Sequence, residues 1–151
     1  MKFNNREYTT ESVMKGHPDK VCDQISDAIL DEYLQIDRNS HTAIECMGCG
    51  NRIIVAGEVK SEGEVDVENI ALNIYKQIGY ENDVIFSNFI TTQSSQLASG
   101  VQKGGASDQG VMYGYACNAP TNYLPVGSFY ANVIANEIDD YRLSTNLFLP
   151  D

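Results

Sequence analysis

The chain has 151 residues, enough for one ordinary domain, and its 42% hydrophobic and 21% charged residues are values of globular proteins, not of disordered tails. Its net charge of −11, with acidic residues spread along the chain, argues against a nucleic-acid-binding surface. The sequence has no membrane-length apolar run and no signal-peptide start, so we expect no membrane partner and a cytoplasmic location.

The first 92 residues predict an α+β unit with the order β-α-β-β-α-β and its helices on one face of a sheet. Alternating or β-branched runs indicate the strands, and apolar residues at helical spacing indicate the helices. Gly48-Cys49-Gly50-Asn51 between two strands predicts a hairpin. The predicted strands cover 3–10, 42–47, 52–59 and 83–92, and the predicted helices cover 18–36 and 66–78.

The rest of the chain begins with a loop over 93–106 that is rich in Ser, Gly and Gln, typical of a mobile lid or of a plain linker. Residues 111–117 then predict a strand, and a helix starts at 125–128. Together, residues 107–151 predict the opening strand and helix of a second, similar unit. The apolar stripe of that helix could fold onto the first domain, swap with a second copy or dock on another chain.

Residues Gly16-His17-Pro18-Asp19-Lys20 combine a turn, a helix start and three ionisable side chains. Pro18 suits the first helical position, which places His17 at the helix N-terminus, where backbone N–H groups favour an anion such as phosphate. Asp19 could hold a divalent cation on that anion. The alternative is a solvated helix cap without a ligand.

Four cysteines, Cys22, Cys46, Cys49 and Cys117, are too sparse for a disulfide scaffold and fit a reducing compartment. Cys46 and Cys49 form a C-x-x-C pair at the hairpin tip, a spacing that structural zinc sites use. A second pair at suitable spacing is missing, although His41 lies at the base of the hairpin. We therefore favour two reduced thiols over a zinc site.

Two long motifs closely resemble the signatures of the S-adenosylmethionine synthetases (methionine adenosyltransferases). The first runs from Glu11 to Ala28 and contains Gly-His-Pro-Asp-Lys, and the second runs from Gly105 to Ala116 and reads Gly-Ala-Ser-Asp-Gln-Gly-Val-Met-Tyr-Gly-Tyr-Ala. Gly57-Glu58-Val59, Lys76 to Tyr80, and Gln93-Ser94 follow in the family's order between them. The similarity spans residues 7–151.

The resemblance implies transfer of the adenosyl group of ATP to the sulfur of L-methionine, followed by hydrolysis of the triphosphate to phosphate and diphosphate, with Mg²⁺ and K⁺ as cofactors. It implies that His17 stabilises the departing triphosphate and is the catalytic residue. The other implied roles are ATP binding by Lys20, Mg²⁺ binding by Asp19, K⁺ binding by Glu45, methionine binding by Glu58, Gln93 and Asp108, and orientation of the turn by Glu11.

The resemblance also implies a homodimer whose sites are built jointly by two subunits. Family members are longer, and the remainder carries triphosphate-binding lysines and arginines, metal-binding aspartates and a Gly-rich phosphate loop. We therefore expect that the sequence ends within the central domain. We also expect that the chain either works together with a complementary C-terminal chain or is a fragment that is inactive alone. Near His17 it offers only Lys15 and Lys20, with Lys103 from a distant loop.

One departure concerns the lid: Gln93 is followed by Ser94-Ser95-Gln96, where the family usually has Ser-Pro-Asp, and the loop is shorter. This keeps open two alternatives to a synthetase. One is a non-catalytic truncated relative that binds nucleotide or regulates a synthetase subunit, and the other is a degenerate remnant.

Overall fold

Three helices and three strands make up the part of the chain that this computed structural model describes, residues 7–93 and 110–150. The mixed α+β class predicted from the sequence is confirmed. The elements are α1 (Pro18–Ile36), β1 (His41–Cys49), β2 (Arg52–Lys60), α2 (Val67–Ile78), β3 (Ile85–Thr92) and α3 (Val126–Thr145).

The three strands form one sheet in the order β1-β2-β3. β1 and β2 pair antiparallel through a two-residue turn at Gly50-Asn51, and Gly50 takes the left-handed φ of 58° that such a turn requires. β2 and β3 pair in parallel, and α2 makes the crossover between them. The register runs without a slip from Arg52 opposite Ile85 to Val59 opposite Thr92.

The core lies between one face of this sheet and the helices α1 and α2. From α1, Ile25 and Ile29 are fully buried, and they meet the fully buried Val55 of β2 and Ala71 of α2. The ends of α2 are defined by its sequence: Asp66 accepts a hydrogen bond from Asn69 N as the N-cap, and the left-handed Gly79 closes the C-terminus. The helical spacing read from the sequence therefore identified the buried face correctly.

Two predicted strands differ from the structure. Residues 7–10 are described and form no strand, while residues 1–6 lie outside the described residues. Residues 111–117 also form no strand, and the Val111, Met112 and Tyr113 side chains are exposed. A β-favourable run becomes a strand only by pairing, and no described strand lies beside either segment.

Helix α3 packs with the opposite face from the one that its apolar stripe suggests. Its buried residues are Ala135, Asp139 and Arg142. Of the apolar stripe predicted from the sequence, Phe129 is half-buried and four residues are exposed: Val133, Ile134, Ile138 and Tyr141. Of the three arrangements considered for the apolar face, folding onto the first domain is therefore wrong for the described chain. Within residues 7–93 and 110–150, no helix has the length and apolarity needed to cross a membrane.

The core predicts a clear difference between two isoleucines of α1. Ile25→Ala should lower the free energy of unfolding by about 3 kcal/mol, because it leaves a cavity at a fully buried position. Ile36→Ala, at a position that is 52% exposed, should cost about 0.5 kcal/mol or less. Urea unfolding followed by circular dichroism measures both, and equal losses would contradict this account of the core.

Candidate functional site

The His17 segment is a turn that leads directly into α1. His17 N donates to Met14 O at 3.1 Å, which closes a four-residue turn with Lys15 and Gly16 at its centre. Pro18 is the first helical residue, as predicted, and His17 is the N-cap. The ring of His17 itself provides the cap, because its Nδ1 accepts a hydrogen bond from Asp19 N at 3.3 Å.

This cap determines what the half-buried His17 ring can offer to a ligand. A neutral imidazole that accepts at Nδ1 carries its proton on Nε2, so Nε2–H is the group left to donate. The ring also takes up one backbone N–H of the helix start, which the sequence had suggested would face an anion directly. The structure shows His17 as a helix cap through Nδ1, and the phosphate role of its Nε2–H stays a prediction.

Three other elements hold the central residues of the turn. The Lys15 carbonyl accepts from Gln24 Nε2 of α1 at 3.0 Å, and the Gly16 carbonyl accepts from Tyr80 OH at 2.7 Å. The Lys15 N–H donates to Asp139 Oδ2 of α3 at 2.8 Å. The residues before His17 are thus fixed by contacts from α1, α3 and the segment after α2.

The charged groups near the turn are few. Lys20 and Asp19 are exposed in the first turn of α1, and Lys15 is half-buried. Glu11 is exposed and makes no hydrogen bond among the described residues, so the orienting contacts come from elsewhere. Among residues 7–93 and 110–150, no three His, Cys, Asp or Glu side chains come together as a metal site.

Glu45, Glu58 and Gln93 all lie on the outer face of the sheet, away from the helices. Glu45 is exposed between two residues of β1, Ile44 and Cys46, that pack against the core. Glu58 pairs in register with outward-facing positions of both neighbouring strands. The Gln93 N–H donates to a β2 carbonyl at 2.8 Å, which extends the ladder by one residue and keeps the alternation.

The structure does not bring Glu58 and Gln93 to His17. One cavity of about 370 Å³ is lined by Pro18 and by the hairpin residues Gly48, Cys49, Gly50 and Arg52, so α1 begins beside the hairpin tip. Glu58 lies six residues along β2 from Arg52, which is about 20 Å of strand. His17, the centre of the predicted anion site, and Glu58 and Gln93, predicted to bind methionine, therefore lie at opposite ends and on opposite faces of the sheet. Asp108, Lys103 and the predicted lid after Gln93 lie outside the described residues.

Sequence reasoning missed Tyr80, Asp139 and Arg142. Arg142 Nη2 lies 3.1 Å from Asp139 Oδ1, and both side chains are buried. The i, i+3 spacing of an acid and a base on a helix was the available signal. It gave no indication of burial, because such pairs are usually exposed to solvent.

The thiols of the C-x-x-C pair point to opposite faces of β1. Cys46 faces the core, where its thiol lies near that of Cys22, while Cys49 is exposed on the other face. Burial, reinforced by Cys22, raises the pKa of Cys46 to about 12. Burial also raises the pKa of Cys22. Because Cys46 and Cys49 point away from each other, they cannot chelate one zinc ion together, in agreement with two reduced thiols.

Comparison with known proteins gives consistent matches along the chain. A family model described as "S-adenosylmethionine synthetase, N-terminal domain" matches residues 5–101, and the model of the central domain of the same family matches residues 103–151. The S-adenosylmethionine synthase of Mycoplasmopsis synoviae is 49% identical over 135 residues, which cover 85% of this chain and 35% of that protein. The synthase of Mycoplasma capricolum is 43% identical over 148 residues, which cover 90% and 37%.

The fold has a solved counterpart as well. An unusual S-adenosylmethionine synthetase from Campylobacter jejuni superposes with a TM-score of 0.81 at 32% identity, covering 92% of this chain and 38% of that one. The chain thus spans well under half the length of the curated relatives it matches.

The thiol environments predict selective alkylation. At about pH 8 Cys49 should react with iodoacetamide first, because it is exposed, while Cys46 should stay protected since its pKa of about 12 leaves almost no thiolate. Tandem mass spectrometry of the hairpin peptide locates the label, and Cys49→Ser is the control that should abolish it. Rapid labelling of Cys46, or stoichiometric zinc in the purified chain, would contradict this arrangement.

Proposed function

Because the chain belongs to the S-adenosylmethionine synthetase family, we propose that it is the N-terminal part of a synthetase that converts ATP, L-methionine and water to S-adenosylmethionine, phosphate and diphosphate. The observation that carries this proposal is the His17 ring, which uses Nδ1 to cap α1 and leaves Nε2–H to donate. A donor fixed at a helix start beside Lys20 suits a polyphosphate. The chemistry of the leaving group explains why.

In adenosyl transfer the methionine sulfur attacks the 5′ carbon of ATP, and the C–O bond to the triphosphate breaks. A thioether sulfur is already a nucleophile, so the reaction needs no general base. The demand falls on the leaving group, whose negative charge grows as the bond breaks and must be stabilised by donors and cations. His17 Nε2–H donates to a triphosphate oxygen and Lys20 contributes a positive charge, so both act on the side where charge develops.

Two metal ions are proposed with the substrates. The single exposed carboxylate of Asp19 fits Mg²⁺, which is commonly bound through one or two carboxylates together with substrate phosphates and water. When bound there, Mg²⁺ would neutralise charge on the triphosphate. Glu45 supplies one oxygen toward K⁺, and among the described residues no group of three acidic, His or Cys side chains forms around it.

Glu58, Gln93 and Asp108 are proposed to hold methionine, with Glu58 on the amino group. Glu58 and Gln93 lie far from His17 in the same chain, on the outer sheet face. The methionine group of one subunit would therefore serve the triphosphate group of another. Met47 and Phe89, which expose 58% and 63% of their surface on that face, support association of two sheets as a homodimer.

We propose the following division of the chain: an N-terminal domain over 1–92, a lid over 93–106 and the start of the central domain over 107–151. The change from one family model to the other between residues 101 and 103 supports it. Free cysteines throughout the described chain support action in the reducing cytoplasm.

Alone, the chain should make little or no S-adenosylmethionine from ATP and methionine. The described residues offer few cations to a triphosphate, and about 1.4 kcal/mol of lost transition-state stabilisation is a tenfold loss in rate. Product formation followed by chromatography tests this, with a full-length relative as the positive control. Turnover comparable to that of the relative would contradict the proposal that further polypeptide supplies most of the cations that stabilise the triphosphate.

If a complementary chain restores activity, His17→Asn should lower kcat about 10²-fold, because it removes a donor that acts mainly in the transition state. Glu58→Gln should act mainly on the KM for methionine, as expected for lost ground-state binding. His41→Asn, at the only other histidine, is the matched control and should change neither constant.

Binding of inorganic tripolyphosphate provides a test without turnover. Calorimetry on the 151-residue chain should show binding that weakens in His17→Asn and persists in His41→Asn. A reconstituted complex in which His17→Asn keeps full activity, or equal binding by both variants, would overturn the role given to His17.

A further inference from the structure

The segment of residues 10–15, here called the arm, runs beside helix α3 in the structure. Thr10 Oγ1 lies 3.4 Å from Ser128 Oγ, Ser12 Oγ donates to Asn132 Oδ1 at 2.7 Å, and Lys15 N donates to Asp139 Oδ2 at 2.8 Å. Five residues of extended chain and eleven of helix both advance about 16 Å, so the contacts stay in step. The arm ends at the turn that carries His17.

The last of these contacts differs from the other two in burial and charge. Asp139 is 1% exposed, whereas the other two contacts are on the surface. Its Oδ2 accepts from the Lys15 N–H, and its Oδ1 accepts from the Nε and Nη2 of Arg142. Both carboxylate oxygens are thus used, one on the backbone of the turn and one on the buried guanidinium.

Arg142 connects this carboxylate to the end of α2. A Cβ atom placed on Gly79 would come within 2.8 Å of Arg142 Nη1, so the guanidinium lies against the glycine that terminates α2. The next residue, Tyr80, donates to the Gly16 carbonyl of the same turn at 2.7 Å. Arg142 and Asp139 therefore span the space between α2 and the turn.

A buried ion pair costs desolvation, and an apolar pair of similar size often gives equal or greater stability. Overall stability therefore does not explain why Asp139 and Arg142 are buried together. Their location does, because the carboxylate binds the backbone of Lys15, the first central residue of the turn, two residues before His17. Resting on the proposed function, we propose that Asp139 and Arg142 are a positioning pair that orients the His17 ring, with Nδ1 on the helix and Nε2–H toward the triphosphate.

The test uses two double variants of the 151-residue chain that differ in one feature. Asp139→Leu with Arg142→Met removes both charges and leaves Lys15 N without an acceptor. Asp139→Asn with Arg142→Gln also removes both charges but keeps an oxygen acceptor at position 139. Asp140→Asn is the matched single control, because Asp140 is the exposed neighbour on the same helix.

The readout is the tautomer of the neutral His17 ring, from long-range ¹H–¹⁵N spectra recorded at about pH 8. His41 serves as the internal reference. We call Asp139→Asn with Arg142→Gln the amide pair, and Asp139→Leu with Arg142→Met the apolar pair. The unmodified chain, the amide pair and Asp140→Asn should show the Nε2–H form. The apolar pair should shift toward the mixture of the two tautomers that a free imidazole shows. Tripolyphosphate affinity should fall about tenfold in the apolar pair only, roughly the loss of one hydrogen bond.

A Nε2–H signature that survives in the folded apolar pair would overturn the proposal, as would its loss in the amide pair. If the apolar pair does not fold, the amide pair decides, because it must keep the tautomer of the unmodified chain. The proposed function is tested by a separate outcome of the same experiments. Absence of tripolyphosphate binding by the unmodified chain would count against the function, while the tautomer comparison would still test the positioning pair.

Discussion

The backbone polar groups of the turn from Met14 to His17 impose the constraint on which the rest of the structure depends. Gly16 is buried, and a buried carbonyl or amide without a partner costs about as much as a lost hydrogen bond. Three of the four groups at the centre of the turn are bonded by different elements: the Lys15 carbonyl by Gln24 of α1, the Gly16 carbonyl by Tyr80 after α2 and the Lys15 N–H by Asp139 of α3. Elements that are distant in sequence therefore meet at the one segment that carries the candidate catalytic histidine.

The same constraint accounts for the unusual orientation of α3. A helix normally buries its apolar stripe, but α3 buries Asp139 and Arg142, because the turn before His17 presents the Lys15 N–H to that face of the helix. Its Ile134 and Tyr141 then remain on the outside. The orientation of α3 is thus set by its hydrogen bonds to residues 10–15, since hydrophobic burial alone would favour the opposite face.

The sequence was sufficient for local structure and for the family, and insufficient for long-range pairing. Helices α1 and α2 and the hairpin could be read from periodicity, caps and turn residues, which act over a few positions. The runs at 3–10 and 111–117 were predicted as strands because propensity does not reveal whether a partner strand exists. The motif identified His17, but the cap through Nδ1 and the buried Asp139 depend on tertiary contacts that no short-range pattern encodes.

The separation of the two proposed substrate groups follows from the placement of α1 on the sheet. α1 covers the inner face and begins at the hairpin tip, so an anion bound at His17 lies near that end. Glu58 is on the outer face, about 20 Å along β2. One copy of the described chain cannot bring both groups to one substrate pair, whereas a second copy can present its outer face to the first. With a net charge of −11, the chain repels a free polyphosphate at long range, so the proposed binding at His17 depends on the local charges of Lys15 and Lys20 and on Mg²⁺ supplied with the ligand. Full stabilisation of a departing triphosphate is therefore proposed to depend on metal ions and on basic side chains from further polypeptide.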